Sequence, residues 1–448
     1  MDYQSIYRQK LVTPDEAVKA VKSGDWVDYG GFCNTPAALD AALARRKEEL
    51  ADIKVRTTLS LRMPEIIRAD SKREVFTVSN WHFGGLDRKL HDQGLMSYIP
   101  MIYRNKPHFY RKSNLPVDVA MFVVSPMDKY GYFNFGLTVS ASRAIADQAK
   151  VIIVEVNEQM PWSRGGAEEL LHISEVDYII EHTQPLPTAN PAGSSETDKA
   201  IARQIVAEIP DGATIQLGIG GMPNVVGNMI ADSDLKDLGC HTEMLVDAYL
   251  ALFKAGKLTN SKKNIDRGKS VWTFCVGSQA LYDWVDHNPS LAAYPVSYTN
   301  SPHVMSQNDN LITINNCVEV DLFGQISSES AATRQISGTG GQLDFLTGGF
   351  MSNGGKSFIC FTATCPDKSN GGGIKSRVVP ALPVGETVTG PRTQVHYLVT
   401  EYGKVNLSGL STWERAEKVI SLAHPDFRDD LVKAAQELNI WRWSNKLK

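Results

Sequence analysis

GATIQLGIGGMP, at residues 212–223, holds a complete strand, turn and helix start. Thr214 to Leu217 is a short β-prone run suited to a buried strand, and Gly218-Ile219-Gly220-Gly221 is a glycine-rich turn. Pro223 then opens a helix, near the favoured first helical position. Glycine allows positive φ and close approach of a ligand, and a helix N-terminus adds partial positive charge. Such a turn can face an anion or an oxyanion, or be only a tight connection. It is not a dinucleotide fingerprint, because Pro223 stands where GxGxxG needs its third glycine.

The same pattern recurs in GDWVDYGGFCNTP at 24–36, with one residue gapped. Few geometries are open to such units, so any α/β chain produces echoes of this kind; two related halves are the simpler picture. Other strand-like runs are VDVAMFVVS at 117–125, VIIVEV at 151–156 and LITI at 311–314. They alternate with helical stretches at 36–50, 140–148, 196–208 and 426–438. This alternation predicts an α/β fold of two related domains with largely parallel sheets. A chain of 448 residues exceeds one ordinary core. HTQPLPTANPAGSS at 182–195 is rich in proline and small polar residues, so the domains are set at 1–190 and 191–448.

A hydrophobic content of 42%, a charged content of 21% and a formal net charge of -4 describe a soluble globular chain with no basic footprint for nucleic acid. No apolar run reaches the roughly 18 residues of a spanning helix, so no membrane partner is expected. MDYQSIYRQKLVTPDEAV lacks the apolar stretch of a signal peptide, which makes a cytoplasmic location the expectation. The six cysteines, Cys33, Cys240, Cys275, Cys317, Cys360 and Cys365, have no CxxC spacing and read as reduced thiols, mostly in the core. GxSxG, HExxH and metal-ligand spacings are missing, so no metal is expected.

A second glycine cluster, SGTGGQLDF at 337–345, can converge with the first on one substrate group. Gly349 to Ser357 approaches a P-loop but has one residue too many before Gly-Lys-Ser, which sets NTP hydrolysis aside; Gly354-Gly355 reads as a hairpin turn. Within GCHTEML at 239–245, Glu243 sits among apolar residues. A carboxylate there has a partner or a task, because burying an unpaired charge is costly. An ion pair, a cap and a nucleophile are all open. His241 would share its face of an extended segment, roughly 7 Å away, as a possible neighbour and not an obvious base. A carboxylate nucleophile helped by glycine amides suits acyl chemistry without a cofactor.

Four ordered motifs, GIGGMPN at 218–224, HTEML at 241–245, NNCVEVDLFGQISSES at 315–330 and SGTGGQLDF at 337–345, together with SPMDKYGYFNFG at 125–136, resemble the acetyl-CoA hydrolase/transferase branch of family I CoA-transferases. The likeness runs through nearly the whole chain. It implies two α/β domains with a CoA site at their interface, in a homo-oligomer. CoA would pass as a substrate between a short acyl-CoA, butyryl-CoA first, and acetate; 4-hydroxybutyrate, propionate, succinate or water are alternatives. By the resemblance, Glu243 matches the glutamate nucleophile that becomes a glutamyl-CoA thioester. Amides near Ile219 to Gly220 and Gly340 to Gly341 would stabilise the oxyanion. Gly218, Ile219, Gly220, Gly221, Met222, Val318 and Gly341 would touch CoA. Lys368, in CPDKSNGGGIKSRVVP, matches the position for the anionic end of CoA, but this loop departs from the family pattern and Lys356 or Lys375 could substitute. Phe32, Met63, Trp81 and Phe83 are candidates for the acyl pocket and equally for the core.

Overall fold

The strand-like runs pair into two open sheets in a computed structural model that describes residues 2–113, 115–189, 193–367 and 372–442. The first sheet contains β1 (Trp26–Tyr29), β2 (Ile53–Thr57), β3 (Phe76–Asn80), β4 (Ser97–Tyr98), β5 (Val117–Val124), β6 (Ala149–Val156) and β7 (Tyr178–Glu181). Its spatial order is β4-β3-β2-β1-β5-β6-β7, and every pairing is parallel. In β5 every residue but Asp118 is buried, as expected where helices cover both faces of a parallel sheet.

The second sheet contains β8 (Thr214–Leu217), β9 (Gly239–Cys240), β10 (Leu311–Asn316), β11 (Lys356–Cys360), β12 (Tyr397–Thr400) and β13 (Gly403–Asn406). Its order is β9-β8-β10-β11-β12-β13, parallel except for the final antiparallel pair. In each sheet the strand order reverses beside the strand read first from the sequence, at β1 with β5 and at β8 with β10. Open α/β sheets bind ligands outside the carboxyl ends of strands at such reversals. Here those ends run into Gly30-Gly31-Phe32 and Gly218-Ile219.

Two local expectations change. The helix after β8 spans Gly221–Ala231, so Pro223 is its third residue and not its first. Gly220 makes the cap at φ 129°, a conformation open mainly to glycine, and this lets the helix begin before the proline. Gly354-Gly355 forms no hairpin; it turns the chain from helix Gln342–Met351 into β11, with Gly354 at φ 70°. The cysteines are all free, five of them buried and Cys365 half-buried.

The largest hydrophobic core runs through both sheets' surroundings, joining Phe122 and Phe133 to Ile215, Tyr249 and Ile312. Phe32 and Phe274 stack within it at 3.9 Å between ring centroids. Separate cores lie under β1 to β3 and beneath the C-terminal helices. No helix among the described residues is long and apolar enough to cross a membrane.

Candidate active site

The segments that follow β2 and β3 in the first sheet and the carboxyl ends of β8 and β10 in the second face one cavity of about 410 Å³. Leu59, His82 and Arg88 wall it from the first half, and Gly218, Ile219, Glu243, Asn316, Val318 and the 337–341 loop from the second. A smaller void adjoins it, enclosed by Phe32, Thr58, His82, Tyr103, Ile219, Glu243 and Phe274. Glu243, Ile219 and His82 line both spaces. The carboxyl of Glu243 therefore sits where a wide cavity narrows into an aromatic void.

The main chain around Glu243 is pinned on one side. Its carbonyl accepts from the N–H groups of Thr273 and Phe274 at 3.1 and 3.2 Å, and Met244 and Leu245 pair in parallel with Phe274 and Cys275. The side chain is held from two further segments. Asn300 Nδ2 donates to Glu243 Oε2 at 2.5 Å, and the Gly341 N–H donates to the same carboxyl. Burial pushes Glu243 up to about 7, while these two hydrogen bonds pull the other way by favouring the ionised form.

His241 is not a partner of the carboxyl. Its Nε2 donates to the Thr299 carbonyl at 2.8 Å, steadying the backbone next to Asn300. Burial, followed by the nearby Lys263 ammonium, lowers it to about 3, so the imidazole is neutral.

Glycine is required at 341 by contact. A Cβ there would lie 2.1 Å from Glu243 Oε2 and 2.3 Å from Asn300 Nδ2. The first half fixes the loop that carries it. Tyr103 N–H donates to the Gly340 carbonyl at 3.0 Å, His82 Nε2 and Ser337 Oγ are 3.1 Å apart, and Thr339 N–H donates to Tyr98 Oη at 3.3 Å. Arg104 adds an ion pair to the buried Asp344 at the start of the following helix.

Of the residues expected to touch CoA, Gly218, Ile219, Val318, Gly340 and Gly341 line the cavity with Glu243. Gly220, Gly221 and Met222 do not. The turn crosses the crevice at Gly218-Ile219 and then leaves it, exposing Gly220 while Met222 points into the core at 7% exposure. Lys368 lies outside the described residues. Lys356 donates to Glu208 at 2.5 Å and Lys375 faces Glu319 at 3.4 Å, so both are engaged away from the cavity lining.

Among the four apolar candidates, Phe32 walls the void and Phe83 the larger cavity. Met63 lies in a separate cleft with Pro64 and Arg68, and Trp81 is core, stacked on Phe109. Sequence reasoning missed Asn300, His82, Arg88, Tyr103 and Thr58. None carries a local motif, and each reaches the site only through the tertiary fold.

The sequence pattern of the acetyl-CoA hydrolase/transferase N-terminal domain matches residues 1–189, and that of the C-terminal domain matches residues 277–435. Butyryl-CoA:acetate CoA-transferase of Anaerostipes caccae is 52% identical over 448 residues, covering 100% of each chain. This chain belongs to the acetyl-CoA hydrolase/transferase family. A second relative in the family, the probable butyrate:acetyl-CoA coenzyme A-transferase of Syntrophomonas wolfei, is 51% identical over 98% of each chain. RipA from Yersinia pestis superposes with a TM-score of 0.89 at 37% identity, over 98% of this chain and 100% of that one. For 4-hydroxybutyrate CoA-transferase from Porphyromonas gingivalis the TM-score is 0.79 at 33% identity, with the same coverage. Both likenesses span the two sheets together.

Proposed function

We propose that this enzyme exchanges CoA between butyryl-CoA and acetate, with Glu243 as the covalent carrier. One observation carries the reading: the Glu243 carboxyl stands at the junction of a wide cavity and a narrow aromatic void, hydrogen-bonded by Asn300 and Gly341. A thioester placed across that junction would present its carbonyl to the carboxylate, with CoA in the wide side and the acyl group parting the aromatic walls of the narrow one, which now leaves only about 10 Å³. The two relatives above 50% identity, named for butyryl-CoA:acetate and butyrate:acetyl-CoA transfer, support the choice of acids.

In the first half-reaction a Glu243 oxygen attacks the thioester carbonyl and the C–S bond breaks, giving a mixed anhydride and CoA thiolate. The thiolate then attacks the Glu243 carbonyl carbon. The anhydride C–O bond breaks, butyrate leaves, and a glutamyl-CoA thioester remains. Acetate repeats these steps in reverse. Each tetrahedral oxyanion needs a donor already in place, which the Gly341 N–H can supply at the carboxyl itself. Anhydride and thioester are both energy-rich, so the exchange needs no ATP.

The same reading has CoA as a substrate and no bound cofactor, in a cytoplasmic homo-oligomer; the family resemblance supports it and sedimentation checks the assembly. Intact mass after mixing with butyryl-CoA tests the chemistry. A CoA adduct on the Glu243 peptide, lost in Glu243→Ala, is expected. No adduct in the wild type, or one surviving the substitution, overturns the assignment. CoA release at a similar rate without acetate would make the enzyme a hydrolase.

A further inference from the structure

Lys106 is 3% exposed, at the start of helix Lys106–Lys112, directly after the turn that brings Tyr103 to the site. Its ammonium donates to Thr58 Oγ1 at 2.5 Å and lies 5.9 Å from the Trp81 ring centre. An ammonium has three donors, and among the described residues no carboxylate lies in salt-bridge reach of this one. Asp28, the nearest negative charge, is already committed. Arg56 grips it from β2, with Nη2 2.6 Å from Oδ2, and Tyr110 donates to its other oxygen at 2.6 Å. A buried cation left this way is costly unless an anion comes to it.

Thr58 is also a wall of the narrow void it shares with Glu243. Its oxygen accepts from Lys106, which leaves the hydroxyl proton to donate. Two other polar groups around the void have partners. Tyr103 Oη is 2.5 Å from Ser140 Oγ, and His82 is bonded to Ser337 and held neutral, lowered to about 4 by burial and then by Arg88.

We propose that Lys106, acting through the Thr58 hydroxyl, anchors the carboxylate of the free acid in the second half-reaction. This rests on the transferase reading above. Once Glu243 is a thioester it carries no charge, and the incoming acid must bring a full negative charge into a space walled by Phe32, Phe274 and Ile219. A hydroxyl polarised by a buried ammonium compensates that charge. The neutral acyl group of butyryl-CoA needs no such help. Lys106 is thus a positioning residue for one substrate and not the other.

Burial lowers Lys106 to about 7, with Asp28 opposing the shift and Arg56 adding to it. The groups around it are Asp28 from β1, Arg56 from β2 and Tyr110 on its own helix, and His82 and Glu243 lie across the void from Thr58. In the glutamyl-CoA form Glu243 no longer titrates, so the pH dependence of acetate binding reports Lys106.

Initial rates with butyryl-CoA and acetate in the wild type, Lys106→Met and Thr58→Val test this. Both variants should raise the KM for acetate about tenfold or more and leave that for butyryl-CoA within about twofold. The wild-type KM for acetate should rise between pH 6 and 8.5, and that of Lys106→Met should stay flat. An unchanged KM for acetate, or equal rises for both substrates, overturns the inference. Thr58→Val removes only a hydroxyl and decides the matter if Lys106→Met does not fold. A wild type with no acetate-dependent transfer overturns the transferase reading and this inference with it.

Discussion

Asn300 Nδ2 lies 2.5 Å from Glu243 Oε2, a contact between residues 57 apart in the chain. A hydrogen bond to the ionised form favours ionisation, and bonds to charged groups are worth about 1.5 to 3 kcal/mol. Asn300→Ala should therefore slow glutamyl-CoA formation about 10- to 100-fold at neutral pH. It should also move the pH midpoint of that step upward. Single-turnover rates across the pH range measure both, and an unmoved midpoint would refute this role for Asn300.

Glu243 must be ionised to attack, and burial raises it from 4.5 to about 7. The rate of adduct formation should climb as pH rises through about 7 and level off above it. Stability should run the opposite way. A carboxyl with a folded value above its unfolded one binds its proton more tightly in the native state, so stability falls as pH rises from about 4.5 through 7. Glu243→Gln should melt higher than the wild type at pH 8, by up to about 3 kcal/mol, and equally at pH 4. Equal melting at pH 8 would contradict the shift.

Gly341 has φ -98°, which any residue tolerates, so its requirement comes from the site and not from the backbone. Gly341→Ala drives a methyl carbon against Glu243 and Asn300. Adduct formation should fall at least about 100-fold through lost positioning, while the melting temperature stays within a few degrees. Mass spectrometry and thermal melts read the two outcomes separately.

Phe32 holds φ 55°, a strained conformation for a bulky side chain, with its ring against Phe274 in the void wall. Phe32→Leu should widen the acyl side. Hexanoyl-CoA should gain on butyryl-CoA by about tenfold in kcat/KM, the scale expected for added methylenes in an apolar pocket. An unchanged ratio would remove Phe32 from acyl selection.

The strands were legible because fully buried parallel strands carry continuous apolar runs; 214–217 was read to the residue. The glycine turns and Glu243 were legible as a motif set. Asn300 was not, because nothing near VSYTNSP marks a side chain that serves a residue 57 positions earlier in the chain. Thr58 and His82 reach the site from the opposite half, with Lys106 behind Thr58, relations set by packing alone. Met222 falls outside the cavity lining because the helix that begins at Gly221 turns it into the core, which its place in a motif does not show. The engagement of Lys356 was not legible because its partner, Glu208, is 148 residues away.

The largest core joins side chains from both sheets, with Phe32 of the first half against Phe274 of the second. Two bodies with private cores can melt in two steps; these share their main one. Heat or denaturant should dissolve both walls of the cavity in a single cooperative transition. A ligand seated between them then raises the melting point of the whole chain, so binding can be followed by any probe in either half.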